Sequence, residues 1–313
     1  MNNKKLIIIG AGPGGYAAAF LAADLGIVTT LIDSEINPGG VCLYKGCIPS
    51  KALLHVAKVL TESEEAKDFG VEFSKPKIDL TKLRNWKNDV VTKLTGGLGQ
   101  LSKQRKIEYL QGKAKIINNN SIELTKVNGE KEILNFDNLI IATGSSPSKI
   151  PNLSIDSKRI LDSTSALELN DIPKSMLVIG GGYIGLELGT VYATLGTKTT
   201  VVEMLPGILS GADKDLVSVL SKRIQNLFES IMVNTKVVEL KEVKEGIKVT
   251  FEDKNSEKTE KIFEKVLISI GRKPNSKGFG IENTIVEIDE KGFIKVDNQL
   301  RTSEKNIFAI GDV

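Results

Sequence analysis

One segment of this chain occurs twice. Residues 6–33, LIIIGAGPGGYAAAFLAADLGIVTTLID, match residues 176–203, MLVIGGGYIGLELGTVYATLGTKTTVVE, at a constant offset of 170 residues. Gly10, Gly12 and Gly15 fall on Gly180, Gly182 and Gly185, and Asp33 falls on Glu203. Each copy runs from an apolar β-like stretch through a glycine turn into a helix. A second β-like stretch follows and closes on an acid, the pattern of the first βαβ of a Rossmann fold. The first glycine permits the tight turn, the second lets the backbone approach a pyrophosphate, and the third lets the helix pack on the strand. The helix start adds N–H groups and a partial positive charge, with Pro13 and Gly14 in one copy and Tyr183 and Ile184 in the other. Asp33 and Glu203 each stand 23 residues past the first glycine, placed to accept hydrogen bonds from a ribose. A lone glycine-rich turn is weak evidence. Two copies with strands, helices and acids predict two dinucleotide sites. Glu203 favours NAD over NADP there, because a carboxylate repels a 2′-phosphate and no arginine intervenes before Arg223.

At 313 residues the chain is too long for one ordinary core. The expected fold class is α/β, with two Rossmann-like dinucleotide-binding domains, each carrying a parallel sheet and an antiparallel β excursion. Residues 50–105 read as helical and charged, with a break at Gly96-Gly97. Residues 107–142 alternate as strands do around Asn118-Asn119-Asn120 and Asn128-Gly129, then run into LIIATGSSP. Pro147 and Pro151 mark one crossover and Gly271 to Asn275 a second. Strands are expected at 237–251, 262–270, near 285–296 and in IFAIGDV at 307–313.

A charged fraction of 26% with a net charge of +3, acids and bases interspersed, gives no reason to expect a nucleic-acid or membrane surface. Lys4-Lys5 before apolar residues 6–23 resembles a targeting peptide, but Gly10, Gly12, Pro13, Gly14 and Gly15 would break such a helix. No other stretch approaches the ~20 apolar residues of a membrane span. The expectation is a soluble cytoplasmic protein, a setting in which persistent structural disulfides are rare.

That expectation makes GGVCLYKGCIPSK, residues 39–51, stand out. Cys42 and Cys47 are the chain's only cysteines and lie five apart. A short loop can bring them within disulfide reach, and Lys51 falls one turn beyond Cys47 if that segment is helical. A helix start and a nearby ammonium both favour thiolate. The alternatives are a structural disulfide, two inert thiols, or a zinc site. Zinc lacks ligands, since His55 is the sole histidine. The place just after a dinucleotide-binding βαβ favours redox work, and no metal is expected.

The motif GGVCLYKGCIPSKALL resembles the redox-active motif of the flavoprotein disulfide reductases, the pyridine nucleotide–disulfide oxidoreductases. The CIPSK form is that of their dihydrolipoamide dehydrogenase group. GAGPGG, IIATGSSP, GGGYIGLELG, VVEMLPGIL, IGRKPN and FAIGDV follow in family order, so the resemblance covers nearly the whole chain. It implies FAD on the first βαβ and NAD on the second. Residues 1–148 would be the FAD-binding domain with the redox disulfide, 149–272 the NAD-binding domain, and 273–313 a return to the first. FAD would meet Gly10, Gly12, Pro13, Gly14, Gly15, Asp33, Gly40, Val41, Lys51, Ala142, Thr143, Gly144 and Asp312. NAD would meet Gly180, Gly182, Tyr183, Ile184, Gly185, Glu203 and Gly271.

Within that resemblance Cys42 matches the cysteine that exchanges with a dithiol substrate, and Cys47 the one whose thiolate lies against the flavin. Lys51 matches the lysine near flavin N5. Glu187, which falls on Ala17 in the repeat, matches the glutamate that keeps a buried lysine charged. The implied activity is oxidation of protein-bound dihydrolipoamide with reduction of NAD. The implied partners are a lipoyl domain of a 2-oxo acid dehydrogenase complex and a second copy of the chain. Relatives continue into a dimerisation domain bearing an acid–base histidine, so this chain is expected to be a truncated form with little lipoamide turnover. His55 matches no such motif. Val41 and the pair Tyr44-Lys45 depart from the family pattern, which often has Thr and an Asn-containing pair there. Other reductases of this architecture, an FAD-carrying electron-transfer module and a non-redox nucleotide binder are the competing readings.

Overall fold

The computed structural model describes residues 4–313 other than 151, 152 and 154, so Pro151 lies outside the described residues. In chain order the elements begin with β1 (Lys5–Ile9), α1 (Pro13–Asp24), β2 (Val28–Asp33), α2 (Gly40–Lys45), α3 (Cys47–Glu65) and α4 (Leu80–Gln104). Next come β3 (Glu108–Asn118), β4 (Ser121–Lys126), β5 (Lys131–Asn135), β6 (Asn138–Ile141), the short β7 (Ser145–Pro147), β8 (Ile160–Leu161) and α5 (Ser163–Leu167). Then follow β9 (Ser175–Ile179), α6 (Tyr183–Thr194), β10 (Lys198–Val202), α7 (Lys214–Gln225), β11 (Ser230–Met232) and β12 (Thr235–Val243). The last are β13 (Gly246–Asp253), β14 (Lys258–Phe263), β15 (Lys265–Ile268), β16 (Arg272–Pro274) and β17 (Ile307–Ala309).

The chain divides into two compact units, one of residues 1–47, 91–146 and 272–313, the other of residues 48–90 and 147–271. The first holds a seven-stranded sheet in the order β17-β6-β1-β2-β3-β4-β5. Its strands run parallel from β17 to β3, and β3, β4 and β5 then form an antiparallel meander. The second unit holds a parallel sheet in the order β11-β10-β9-β15-β8 and an antiparallel sheet β12-β13-β14.

The central strand of each parallel sheet is an uninterrupted apolar run because both of its faces are buried. Along β1, Leu6 and Ile8 point to the core that contains Ala19 and Ala22 of α1, while Ile7 and Ile9 point to the core beneath the meander. Along β9 the residues 170 later divide likewise. Met176 and Val178 pack with Leu188 and Val191 of α6, and Leu177 and Ile179 with Val249 and Phe251 of β13. The repeat in sequence is therefore a repeat in layering.

Four expectations need correction. The stretch 262–270 is not one strand: β14 closes at Phe263 in the antiparallel sheet, and β15, Lys265–Ile268, belongs to the parallel one. Gly96 and Gly97 do not break α4; the buried Val91, Thr95 and Ser102 anchor the helix across them, and packing outweighs glycine's poor helix propensity. The stretch 237–251 is two strands, because Gly246 turns the chain back, its Cα lying where a Cβ would be 2.2 Å from Phe263 O. Near 285–296 there is only an isolated Ile288–Ile294 bridge, where the Asp289 carboxylate accepts from the N–H groups of Lys291 and Phe293 and tightens the turn.

Candidate functional site

The two glycine turns share one hydrogen-bond plan. Gly10 N–H donates to Ile32 O at 2.8 Å and Gly180 N–H to Val202 O at 2.9 Å, with φ of 98° and 108°. A Cβ on Gly15 would lie 1.8 Å from Gly10 O, and one on Gly185 would lie 2.3 Å from Gly180 O. Only glycine lets helix and strand approach so closely. Asp33 Oδ2 accepts from Ala11 N–H at 2.6 Å and its Oδ1 from Glu35 N–H at 3.0 Å. Glu203 repeats this, taking Gly181 N–H at 2.7 Å and Leu205 N–H at 2.9 Å. The sequence pointed to both acids as ribose acceptors; in the structure each staples its own turn. No side chain caps the start of α1 or of α6, so their first N–H groups stay open to an anion.

The cysteine loop hangs on the first turn. Gly39 N–H donates to Ala11 O at 2.8 Å, and a Cβ on Gly40 would come within 2.4 Å of Gly12 Cα. The short α2 carries Val41, exposed, and Cys42, half-buried; Cys47, exposed, opens α3. Gly46 stands between the two helices. A Cβ there would lie 2.9 Å from Val41 O and 3.3 Å from Cys42 Cα, so no larger residue leaves the loop this tight. Gly46 and Tyr16 were not singled out in sequence. Burial first, and then the charge of Cys42, push the Tyr16 phenol above its ordinary range.

Lys51 and Glu187 meet: Nζ lies 3.3 Å from Oε1. The Lys51 side chain is 64% exposed, so the expected buried lysine is not found. The buried contact to this carboxylate comes instead from Ser50, whose hydroxyl donates to Glu187 Oε2 at 2.7 Å. Its only sequence signal was its place inside CIPSK.

At the ends of β6 and β17 three separate motifs converge. Ala142 N–H donates to Ile9 O at 2.8 Å. Thr143 and Gly144 clasp Asn275: the Thr143 hydroxyl donates to Asn275 O at 2.7 Å, and Asn275 N–H donates to Gly144 O at 2.8 Å. Arg272 Nε donates to Ser145 Oγ at 2.7 Å, and that hydroxyl donates to Asp312 Oδ2 at 3.3 Å. Arg272 and Asn275 were read as part of the second crossover, and Ser145 as part of the strand and glycine turn of LIIATGSSP.

Tyr183 is exposed at the start of α6, and Ile184 follows it, half-buried. Gly271 takes a φ of 113° at the second crossover. His55 packs near Trp86, ring centroids 6.3 Å apart. Among the described residues no cluster of three metal-ligating side chains occurs, and no helix is long and apolar enough to cross a membrane.

Two dinucleotide folds, one with a paired-cysteine loop hung from its glycine turn, define a two-nucleotide α/β protein with a dithiol. The chain belongs to the pyridine nucleotide-disulphide oxidoreductase family, whose sequence pattern matches residues 4–313. It is similar to the dihydrolipoyl dehydrogenase of Vibrio parahaemolyticus, 47% identical over 99% of this chain and 65% of that protein. It is also similar to that of Geobacillus stearothermophilus, 43% identical over 99% and 65%. The chain thus spans about 65% of the length of these curated relatives. Among solved structures it resembles the HOCl-induced flavoprotein disulfide reductase RclA of Escherichia coli, in its Cu(II) complex. The TM-score is 0.84 and the identity 27%, over 100% of this chain and 66% of that one.

Proposed function

We propose that this chain is the nucleotide- and disulfide-bearing part of a dihydrolipoyl dehydrogenase, with FAD on the first unit and NAD on the second. The observation that carries the reading is the twin acid-stapled glycine turn, with the cysteine loop bonded directly to the first copy. The fit to dinucleotides rests on the open N–H groups at the start of α1 and α6 and on bare backbone at Gly12, Gly144 and Gly182. Nothing lies within 4 Å of a Cβ at Gly144 or Gly182, and only Gly40 Cα, at 3.9 Å, does at Gly12. When bound, FAD supplies a two-electron relay and NAD the final hydride acceptor.

Cys42 and Cys47 do the disulfide chemistry. In their oxidised form, a thiolate of dihydrolipoamide attacks Cys42 Sγ, the Cys42–Cys47 bond breaks, and Cys47 leaves as thiolate. The second substrate thiolate then displaces Cys42, so the lipoyl group departs as its cyclic disulfide and the protein holds two reduced sulfurs. Lys51, four residues after Cys47 in α3, pairs with Glu187 Oε1, while the Ser50 hydroxyl holds the other oxygen of that carboxylate. Asp312, oriented through Ser145 by Arg272, would receive the ribityl hydroxyls of FAD. Glu203 selects NAD over NADP by repelling a 2′-phosphate. The substrate is a lipoyl domain of a 2-oxo acid dehydrogenase complex and the working form a homodimer, in the cytoplasm, where a vicinal dithiol is kept reducible.

The visible spectrum tests this. The purified chain should be yellow, be reduced by NADH in preference to NADPH, and develop a long-wavelength band on two-electron reduction that Cys47→Ser abolishes. A colourless protein, or a band indifferent to Cys47, would sink the reading.

A further inference from the structure

Tyr44 and Lys45 lie between the two cysteines, depart from the family pattern and take no part in the chemistry above. Yet they close a frame around Cys42. At six residues α2 is too short to hold its own shape. Its front end is fixed on the glycine turn by Gly39 and Gly40. Its back end is fixed by these two side chains. The Tyr44 hydroxyl donates to Asn37 O at 3.1 Å and accepts from Asn37 N–H at 3.3 Å, so one phenol serves both main-chain groups of that residue. The Tyr44 ring lies against Gly39, its Cε2 3.1 Å from where a Cβ on that glycine would stand. Lys45 Nζ pairs with Glu35 Oε1 at 3.0 Å, and Glu35 O in turn accepts from the Tyr109 hydroxyl at 2.7 Å. The segment 35–39 and α2 thus brace each other, with Cys42 in the middle.

We infer that Tyr44 and Lys45 are positioning residues for the Cys42–Cys47 couple. By fixing the Cys42 arm they raise the effective concentration of one thiol at the other, and so favour the internal disulfide. This rests on the reading that the pair cycles between dithiol and disulfide. In exchange with glutathione, a Cys42–Cys47 bond forms, the bond of oxidised glutathione breaks, and two protons pass to the two glutathione thiolates released.

The test is the equilibrium of the full 313-residue chain in buffers of set reduced-to-oxidised glutathione ratio, quenched by alkylation and read by mass of the peptide that holds both cysteines. Tyr44→Phe keeps the ring and deletes both hydrogen bonds; it should lower the constant for disulfide formation roughly two- to tenfold, the span of a net hydrogen bond. Lys45→Met, at an exposed site, should lower it by up to about fivefold, and less at high salt. Lys58→Met breaks the exposed Lys58–Glu62 pair of α3 and should change nothing. A constant unmoved or raised by both Tyr44→Phe and Lys45→Met overturns the inference. The assay needs no flavin, so a colourless chain whose disulfide still responds leaves the inference standing while the flavin reading falls. A chain that forms no internal disulfide at any ratio overturns the inference together with the disulfide chemistry proposed for Cys42 and Cys47.

Discussion

Alanine at position 15 would put a methyl carbon 1.8 Å from Gly10 O, where ordinary contact begins at 3.4 Å. The obstacle is backbone, so no side chain can swing aside. Helix α1 must retreat from β1 by about 1.5 Å, and it carries the buried Ala19 and Ala22 with it. Overpacking of this kind costs about 1–3 kcal/mol. At roughly 2–4 °C per kcal/mol, melting should fall by about 2–12 °C. The same displacement moves the open N–H groups at the start of α1, so flavin retained through purification should drop severalfold. Gly14→Ala is the control one residue away. Its Cβ would meet Ile310 Cγ1 at 3.4 Å, an ordinary contact, and trading glycine for alanine inside a helix stabilises by about 0.5–1 kcal/mol. Thermal unfolding by circular dichroism and flavin absorbance per chain read both variants. A Gly15→Ala protein that melts with the parent and keeps its flavin would refute the close-approach argument.

Ser50→Ala should destabilise by about 1 kcal/mol, because it strips the buried donor from Glu187, and should add almost nothing once Glu187→Gln is present; a double-mutant cycle on urea midpoints reads this. Lys51→Met should leave the same midpoint within about 0.5 kcal/mol, its pair being mostly exposed. Lys87, buried and bonded to Leu167 O at 2.8 Å, has its pKa lowered chiefly by burial, with Glu168 opposing and Arg84 adding. The unfolded chain therefore binds more protons between the folded and the unfolded pKa, so this lysine's penalty holds below that window and lifts as pH climbs through it. Lys87→Met should flatten the rise of stability with alkaline pH relative to the parent, and parallel curves would count against it. Arg272→Met should loosen Ser145 and Asp312 together and reduce retained flavin, whereas unchanged flavin content would speak against the relay.

The layering was legible because the apolar runs of β1 and β9 are long and their copies reinforce each other. The acids were legible for the same reason, spaced alike from alike glycines. Features that depend on residues far apart in sequence were not. Asn275 clasps Thr143 across 132 positions, and nothing local in GRKPN announces it. Ser50 reaches Glu187 across 137 positions, and CIPSK drew attention to its lysine rather than to its serine. The exposure of Lys51 likewise follows from packing, which residue type does not encode. Gly246 and the pair Gly96-Gly97 show the other limit: the same residue turns a strand in one place and passes unnoticed through a helix in another, according to what lies beside it.

The acid staples have a consequence for how nucleotide would be met. Asp33 and Glu203 each hold an amide of the turn with one oxygen and an amide two residues further along the chain with the other. Each turn is therefore shaped by its own carboxylate, and its ordering is completed during folding rather than at the encounter with ligand. Removing either acid would then weaken even a pyrophosphate fragment that has no ribose to offer it.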